Sequence, residues 1–232
     1  MNGNTSRIRC GLRPGYTLLE ILTVVGILTM LIGLLLPSLH RAREQTRETQ
    51  CLNRLHSLFV AHVTYLEDYK QFPPMNNEAD DGSWQYNYLV FDGKDYHHNF
   101  GPLIADGATL DEIKILYCPT QEDIYHSLNT AFNPWPAVKN TDTRAGYGRR
   151  YHLSGKSLSQ LRRTIGFAAD IFHLPEVVKS AHKTGVNAVY TDGHGQWVHD
   201  PGLFTHNELA SPFDPLDNRI MRKLWRIVDE AK

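Results

Sequence analysis

The sequence predicts an α+β protein in which a long N-terminal helix, lipid-like in its first half and amphipathic in its second, packs on an antiparallel β-sheet. Three observations carry this prediction. Residues 16–36 are apolar apart from one acid and a few small polar side chains. A helical period of three and four residues then continues to residue 70. Beyond residue 74, periodic runs give way to short β-type stretches separated by Gly, Pro and Asn.

The apolar run rises about 1.5 Å per residue and so spans roughly 30 Å, the thickness of a hydrocarbon core. No later stretch is comparable, so the chain is expected to cross a membrane once. A cleaved secretory signal is the competing reading. The run is long for that role, contains Glu20, and continues into "PSLHRAR" where a signal would place a small-x-small cleavage site. Arg7, Arg9 and Arg13 on one flank balance Arg41, Arg43 and Arg47 on the other, so charge alone leaves the orientation open.

After Pro37 the apolar positions are Leu39, Ala42, Cys51, Leu55, Leu58 with Phe59, His62, Leu66 and Tyr69, one stripe on a helix. "RAREQTRETQ" is a solvated section between the membrane and that stripe. Pro37 lacks an N–H and predicts a kink, and "QFPP" at 71–74 predicts the end. The result is one nearly continuous helix of about 55 residues. The domain reading is a leader at 1–15, a membrane helix at 16–36, an amphipathic helix at 37–70 and an α+β globular domain at 71–232.

Within the globular part, strands are predicted at "WQYNYLVF" (84–91), "ILYC" (115–118), "YGRRYHL" (147–153), "TIGFAAD" (164–170), "NAVYTD" (187–192) and "QWVH" (196–199). The last two read as a hairpin whose loop holds Asp192-Gly193-His194-Gly195. "SLSQLRR" is a helical turn. A terminal helix over "DNRIMRKLWRIVDEA" places Ile220, Leu224, Ile227 and Val228 on one face, with Asp217 as N-cap.

Composition narrows the chemistry. The formal net charge of 232 residues is −1, with scattered Lys and Arg, so no nucleic-acid surface is indicated. Of three cysteines, Cys10 lies in the basic leader; Cys51 and Cys118 remain as one disulfide or as two inert buried thiols. Twelve histidines raise the question of a metal, and Asp170, His173, His182, Asp192 and His194 lie near strand ends. No HExxH, paired-Cys or EF-hand spacing is present. The reading adopted is therefore structural, with Asp192 capping the hairpin loop and His182 bonding locally, and with no metal or cofactor. There is no G-x-S-x-G elbow or P-loop, and Cys118 precedes Pro119 with no assignable His partner, so the chain is read as no enzyme. Trp84, Tyr86, Tyr88 and Trp135 are read as core and interface, and His97-His98 as an exposed loop.

A short basic leader ending in Gly15, the aromatic Tyr16, then "TLLEILTVVGIL" and Pro37 resemble the type IV pilin and pseudopilin signature. The resemblance implies that a prepilin peptidase on the cytoplasmic side cuts after Gly15 and methylates the new N-terminus, Tyr16. Tyr16 departs mildly from the usual phenylalanine. Glu20 is then the acid five positions into the mature chain. It would pair with an amine created by cleavage, either that of its own helix or that of a neighbouring subunit, as buried charge requires.

The islands "CLNRLHSLFVAHVTYLEDYKQFPP", "LYCPT", "GFAAD" and "AHKTGVNAVYTDGHGQWV" resemble a pseudopilin-like bacterial group with a His, nine residues, then Asp-Gly. His182 and Asp192-Gly193 fit that spacing. The same resemblance implies a Cys51–Cys118 disulfide. It further implies a pilin-like fold, a single pass through a bacterial inner membrane and an extracytoplasmic C-terminal domain. The partners implied are the membrane, prepilin peptidase and other pilin-like subunits, in a filament of a type II secretion or type IV pilus-like system. The alternative keeps the anchor and makes the outer domain a binding or enzymatic module, with Asp170, His182, Asp192 and His194 as its site.

Overall fold

The computed structural model describes residues 16–75, 88–94, 99–105, 113–172, 175–182, 184–200, 202, 204 and 218–231. Gly15, Trp84, Tyr86, His97, His98, His173 and Asp217 lie outside the described residues. The chain divides into two compact units, Met1–Gln45 and Thr46–Lys232. Helix α1, Leu18–Tyr69, contributes to both.

In the first unit every side chain from 16 to 36 is exposed. The α-helix runs through Pro37 without a break. The hydroxyls of Thr23, Thr29 and Ser38 donate to the carbonyls of Glu20, Gly26 and Leu35 at 2.9, 2.9 and 2.7 Å. The polar groups of the apolar run are thus satisfied inside the helix, as a segment surrounded by hydrocarbon requires.

In the second unit, α1 buries Cys51, Leu55, Leu58, Phe59, Ala61, His62, Tyr65 and Leu66, one continuous stripe. Tyr69, expected on that stripe, is half exposed and stacks on Tyr65 at 4.2 Å. The helix stops where Lys70 takes a left-handed φ of 61° and returns its N–H to the Leu66 carbonyl at 2.9 Å. Pro73 and Pro74 follow, with no donor to continue it.

Strands β1 (Leu89–Asp92) and β2 (Asp142–Arg144) form an antiparallel ribbon. Strands β3 (Tyr147–Arg149), β4 (Gly166–Asp170), β5 (Gly185–Tyr190) and β6 (Gly195–His199) form a four-stranded antiparallel meander in chain order. Among the described residues, three further helices are α2 (Pro102–Ala105), α3 (Pro175–Ala181) and α4 (Asn218–Glu230). Two hydrophobic cores lie on the two faces of the meander. On one, Phe59 and His62 of α1 meet Phe167 at ring separations of 5.3 and 4.8 Å, with Phe72, Phe100 and Tyr147 around them. On the other, Leu224, Trp225 and Val228 of α4 pack with Ala169, Val186, Ala188 and Val198. Strands β4 and β5 are buried along their full length. Covered on both faces, "GFAAD" and "GVNAVY" read as near-continuous small and apolar runs without alternation.

The sequence reading needs two corrections here. "ILYC" is not a strand: Ile113–Leu116 forms a 3₁₀ turn, with the Tyr117 N–H bonded to Lys114 O at 3.2 Å. Pro119 removes the next donor, and the segment is strapped to the sheet by the Gly146 N–H on Leu116 O at 2.8 Å. A Cβ on Gly146 would stand 3.0 Å from the Cys118 nitrogen, so the close approach requires glycine. "YGRRYHL" divides into β3 and a 3₁₀ turn at Tyr151–Leu153.

Candidate functional site

At the start of α1, Thr17 and Glu20 form a capping box. The Thr17 N–H and hydroxyl both donate to Glu20 Oε2 at 2.8 Å, and the Glu20 N–H donates to Thr17 Oγ1 at 3.2 Å. The T-x-x-E spacing is the sequence signal of such a helix start, and in it Glu20 is a cap as well as a charge. In the uncut chain Tyr16 has no free amine, and the carboxylate satisfies two donors of the first turn.

The densest chemistry lies deeper. Cys51 on α1, Cys118 on the strap after the 3₁₀ turn, Asp170 at the end of β4 and His182 just beyond α3 converge. Their ligating atoms all lie within 4.8 Å of one another. Cys51 is wholly buried and the other three are at most 4% exposed. The pairing of β3 with β4 sets Tyr147 opposite Asp170, under the helix face that carries Cys51. Cys51 Sγ donates to Asp170 Oδ1 at 2.9 Å and lies 3.3 Å from Tyr147 Oη. Cys118 Sγ is 2.9 Å from Thr120 Oγ1 and 3.2 Å from His182 Nε2, which is 3.5 Å from Asp170 Oδ2. The Asn187 N–H and Nδ2 donate to that Oδ2 at 2.6 and 3.1 Å. His182 Nδ1 is buried with no partner among the described residues.

Burial pushes the Cys51 thiol well above its ordinary value, and the neighbouring Cys118 and Asp170 push it further. Burial, then the charge of Cys118, raises Asp170 to about 7. Burial also opposes ionisation of Cys118, but hydrogen bonds from Cys51 and His182 outweigh it and lower the thiol. For His182 burial lowers the ring, and the Cys118 bond and the Asp170 charge more than reverse this. The Cys118–His182 contact thus favours the thiolate and the imidazolium together.

Several expectations meet this geometry. Cys51 and Cys118, for which the resemblance implied a disulfide, stand as two free thiols in hydrogen-bond contact with each other, with Asp170 on the first and His182 on the second. Cys118 does have a His partner, supplied by His182. His182 in turn is not a locally bonded histidine but part of a buried cluster. The four residues of the alternative module do not form one site. Asp170 and His182 are in the cluster, whereas Asp192 and His194 sit in the β5–β6 turn, exposed. There Asp192 Oδ1 accepts from the His194 N–H at 3.2 Å and pairs with its Nδ1 at 2.6 Å. Its slight burial would raise its pKa, but these bonds prevail and lower it. Gly193 carries the turn with φ +88°. Cys118 chemistry on a substrate would need access that its burial denies.

Each of the four islands quoted above supplies one member of the cluster: Cys51, Cys118, Asp170 and His182. No single spacing could have shown this, because the residues belong to four separate elements. Residues 40–153, just under half of the chain, match the SBP_bac_10 family model, described as a protein of unknown function (DUF1559). No curated protein and no solved structure matches. The match covers Cys51 and Cys118 and stops short of Asp170 and His182. The chain is thus similar to that family over the amphipathic helix and the first part of the globular domain. One helix, near the N-terminus, is long and apolar enough among the described residues to cross a membrane. Together these fit a membrane-anchored or secreted extracytoplasmic protein.

Proposed function

We propose that this chain is a pseudopilin-like structural subunit, cut after Gly15 by a prepilin peptidase and assembled through α1 into a pilus-like filament. Its C-terminal domain then lies outside a bacterial inner membrane, and the subunit is a substrate of processing with no catalysis of its own. The carrying observation is Glu20 itself, a carboxylate in the first turn of a helix whose side chains are exposed on every side from 16 to 36. An all-round apolar helix needs lipid or other helices as cover. An acid within it needs a cation or donors. Cleavage after Gly15 would create such a cation, the amine of Tyr16, next to the Thr17 N–H that Glu20 now accepts from.

The reading is tested by replacing Glu20 with alanine and crosslinking subunits in the native membrane. Crosslinked ladders should disappear while the outer domain stays folded, since Glu20 lies in the other compact unit. Ladders of undiminished length would overturn the assembly role.

A further inference from the structure

We propose that Cys51, Cys118, Asp170 and His182 are the four ligands of a structural zinc ion that clamps α1 to the sheet. Two thiolates, an imidazole nitrogen and a carboxylate oxygen are the donor types that tetrahedral zinc takes. Bonds of about 2.0–2.3 Å put neighbouring donors about 3.3–3.8 Å apart in a tetrahedron. Cys51 Sγ stands 2.9 Å from Asp170 Oδ1 and Cys118 Sγ 3.2 Å from His182 Nε2, and one ligating atom of each residue lies within 4.8 Å of all the others. Side-chain shifts of up to about an ångström bring the four to tetrahedral separations.

The surrounding side chains are those a metal centre needs. Tyr147 Oη stands by the Cys51 sulfur and Thr120 Oγ1 by the Cys118 sulfur, each able to donate to a thiolate. Asn187 occupies Asp170 Oδ2 with two N–H groups and leaves Oδ1 to ligate. The edge-on Trp197 ring holds the His182 imidazole at 5.5 Å. Such outer partners fix ligand orientation and tune the metal. Arg54 lies one turn after Cys51, and its Nη1 donates to Tyr117 O at 2.6 Å, next to Cys118. That guanidinium offsets the single negative charge left when two thiolates and a carboxylate bind Zn²⁺.

Competing uses of the cluster leave groups unexplained. A disulfide would consume both sulfurs and take from Asp170 Oδ1 and His182 Nε2 the thiol partners they now have. A nucleophilic Cys118 would need a route for substrate that its burial closes. Zinc engages all four. Binding releases the Cys51 thiol proton, the proton shared between Cys118 Sγ and His182 Nε2, and the carboxyl proton where Asp170 holds one. With four protein ligands no position remains for water, so the ion is structural and not catalytic. This inference stands apart from the filament reading, since it concerns only the second compact unit.

The test uses the full-length chain, purified in detergent without chelator. Metal analysis should find one zinc per chain, and denatured intact mass should show both thiols reduced. Cobalt(II) loaded in place of zinc should give the intense sulfur-to-cobalt charge-transfer absorption of a tetrahedral thiolate site, a readout on the unmutated protein. Zinc affinity should fall at least about tenfold in Asn187→Ala, a change outside the ligand set. A metal-free chain lighter by two hydrogens would overturn the proposal in favour of a disulfide. Absence of the charge-transfer bands would overturn it as well. So would zinc at unchanged stoichiometry in the Cys51→Ser/Cys118→Ser double variant, which would place the ion on other histidines.

Discussion

His62 lies among the rings of Phe72, Phe100 and Phe167, 6.5, 5.6 and 4.8 Å away, with Nδ1 bonded to Leu58 O. Burial, then the nearby Arg149 cation, holds its pKa well below the usual histidine value. His126, buried with Nδ1 on Ala145 O, is lowered by burial to about 4. Both are neutral in the fold, so the unfolded chain binds protons that the folded chain refuses. Their contribution is fully present above about pH 6.5 and is lost as pH falls below it, by up to about 1.4 kcal/mol per pH unit for each histidine. Denaturant unfolding at pH 7 and pH 5 should therefore show a smaller loss for His62→Leu than for the unmutated chain. Equal losses would show that His62 is not held neutral. Arg149 poses a second test at this scale. It is fully buried, one Nη donates to Pro73 O at 2.7 Å, and Nε and the other Nη have no partner among the described residues. Replacing a poorly compensated buried charge with an apolar group of similar volume tends to be neutral or stabilising. Arg149→Met should accordingly leave the thermal midpoint unchanged or raise it, and a fall of many degrees would refute this account of the site.

Helix α4 is fastened to the meander by a buried pair. Arg150 makes a bidentate contact with Asp229 at 2.7 and 2.8 Å, and Asp229 Oδ1 also accepts the Gly166 N–H at 2.8 Å. Asp229→Ala strands both the guanidinium and the start of β4, and should cost about 3–5 kcal/mol in chemical unfolding. A loss under about 1 kcal/mol would mean that α4 is held by Trp225 and its apolar neighbours alone. At the β5–β6 turn, Gly193→Ala forces a side chain to φ +88° and 3.1 Å from the Phe59 ring, and should cost about 1–2 kcal/mol. The amphipathic half of α1, β4, β5, β6 and α4 were legible because period and turn chemistry agree with their tertiary surroundings. "ILYC" misled because β-propensity there is overridden by Pro119 and by the close approach of Gly146. Tyr69 misled because a stripe read by spacing does not show where the sheet beneath it ends. The buried cluster was half legible. Asp170 and His182 stand out as candidates, but Cys51 and Cys118 suggest either a pair with each other or two inert thiols, since which segments cross beneath α1 is decided by β-pairing of distant residues.

At the scale of the molecule, the two compact units divide the work. The globular unit has its own cores on both faces of a sheet and a buried cluster joining its helix to that sheet. The N-terminal unit has no core among its described residues: Leu18, Leu19, Met30 and Leu34 are each about 70% exposed or more. Its apolar surface finds cover in lipid or in other helices, and Glu20, the single acid of residues 16–36, is placed where a new N-terminus would arise. The filament-subunit proposal therefore rests on whether cleavage takes place. Mass spectrometry of the chain isolated from cells with an active prepilin peptidase decides it. The account predicts an N-terminal peptide that begins at Tyr16 and carries one added methyl group; an unmethylated chain still beginning at Met1 would contradict it.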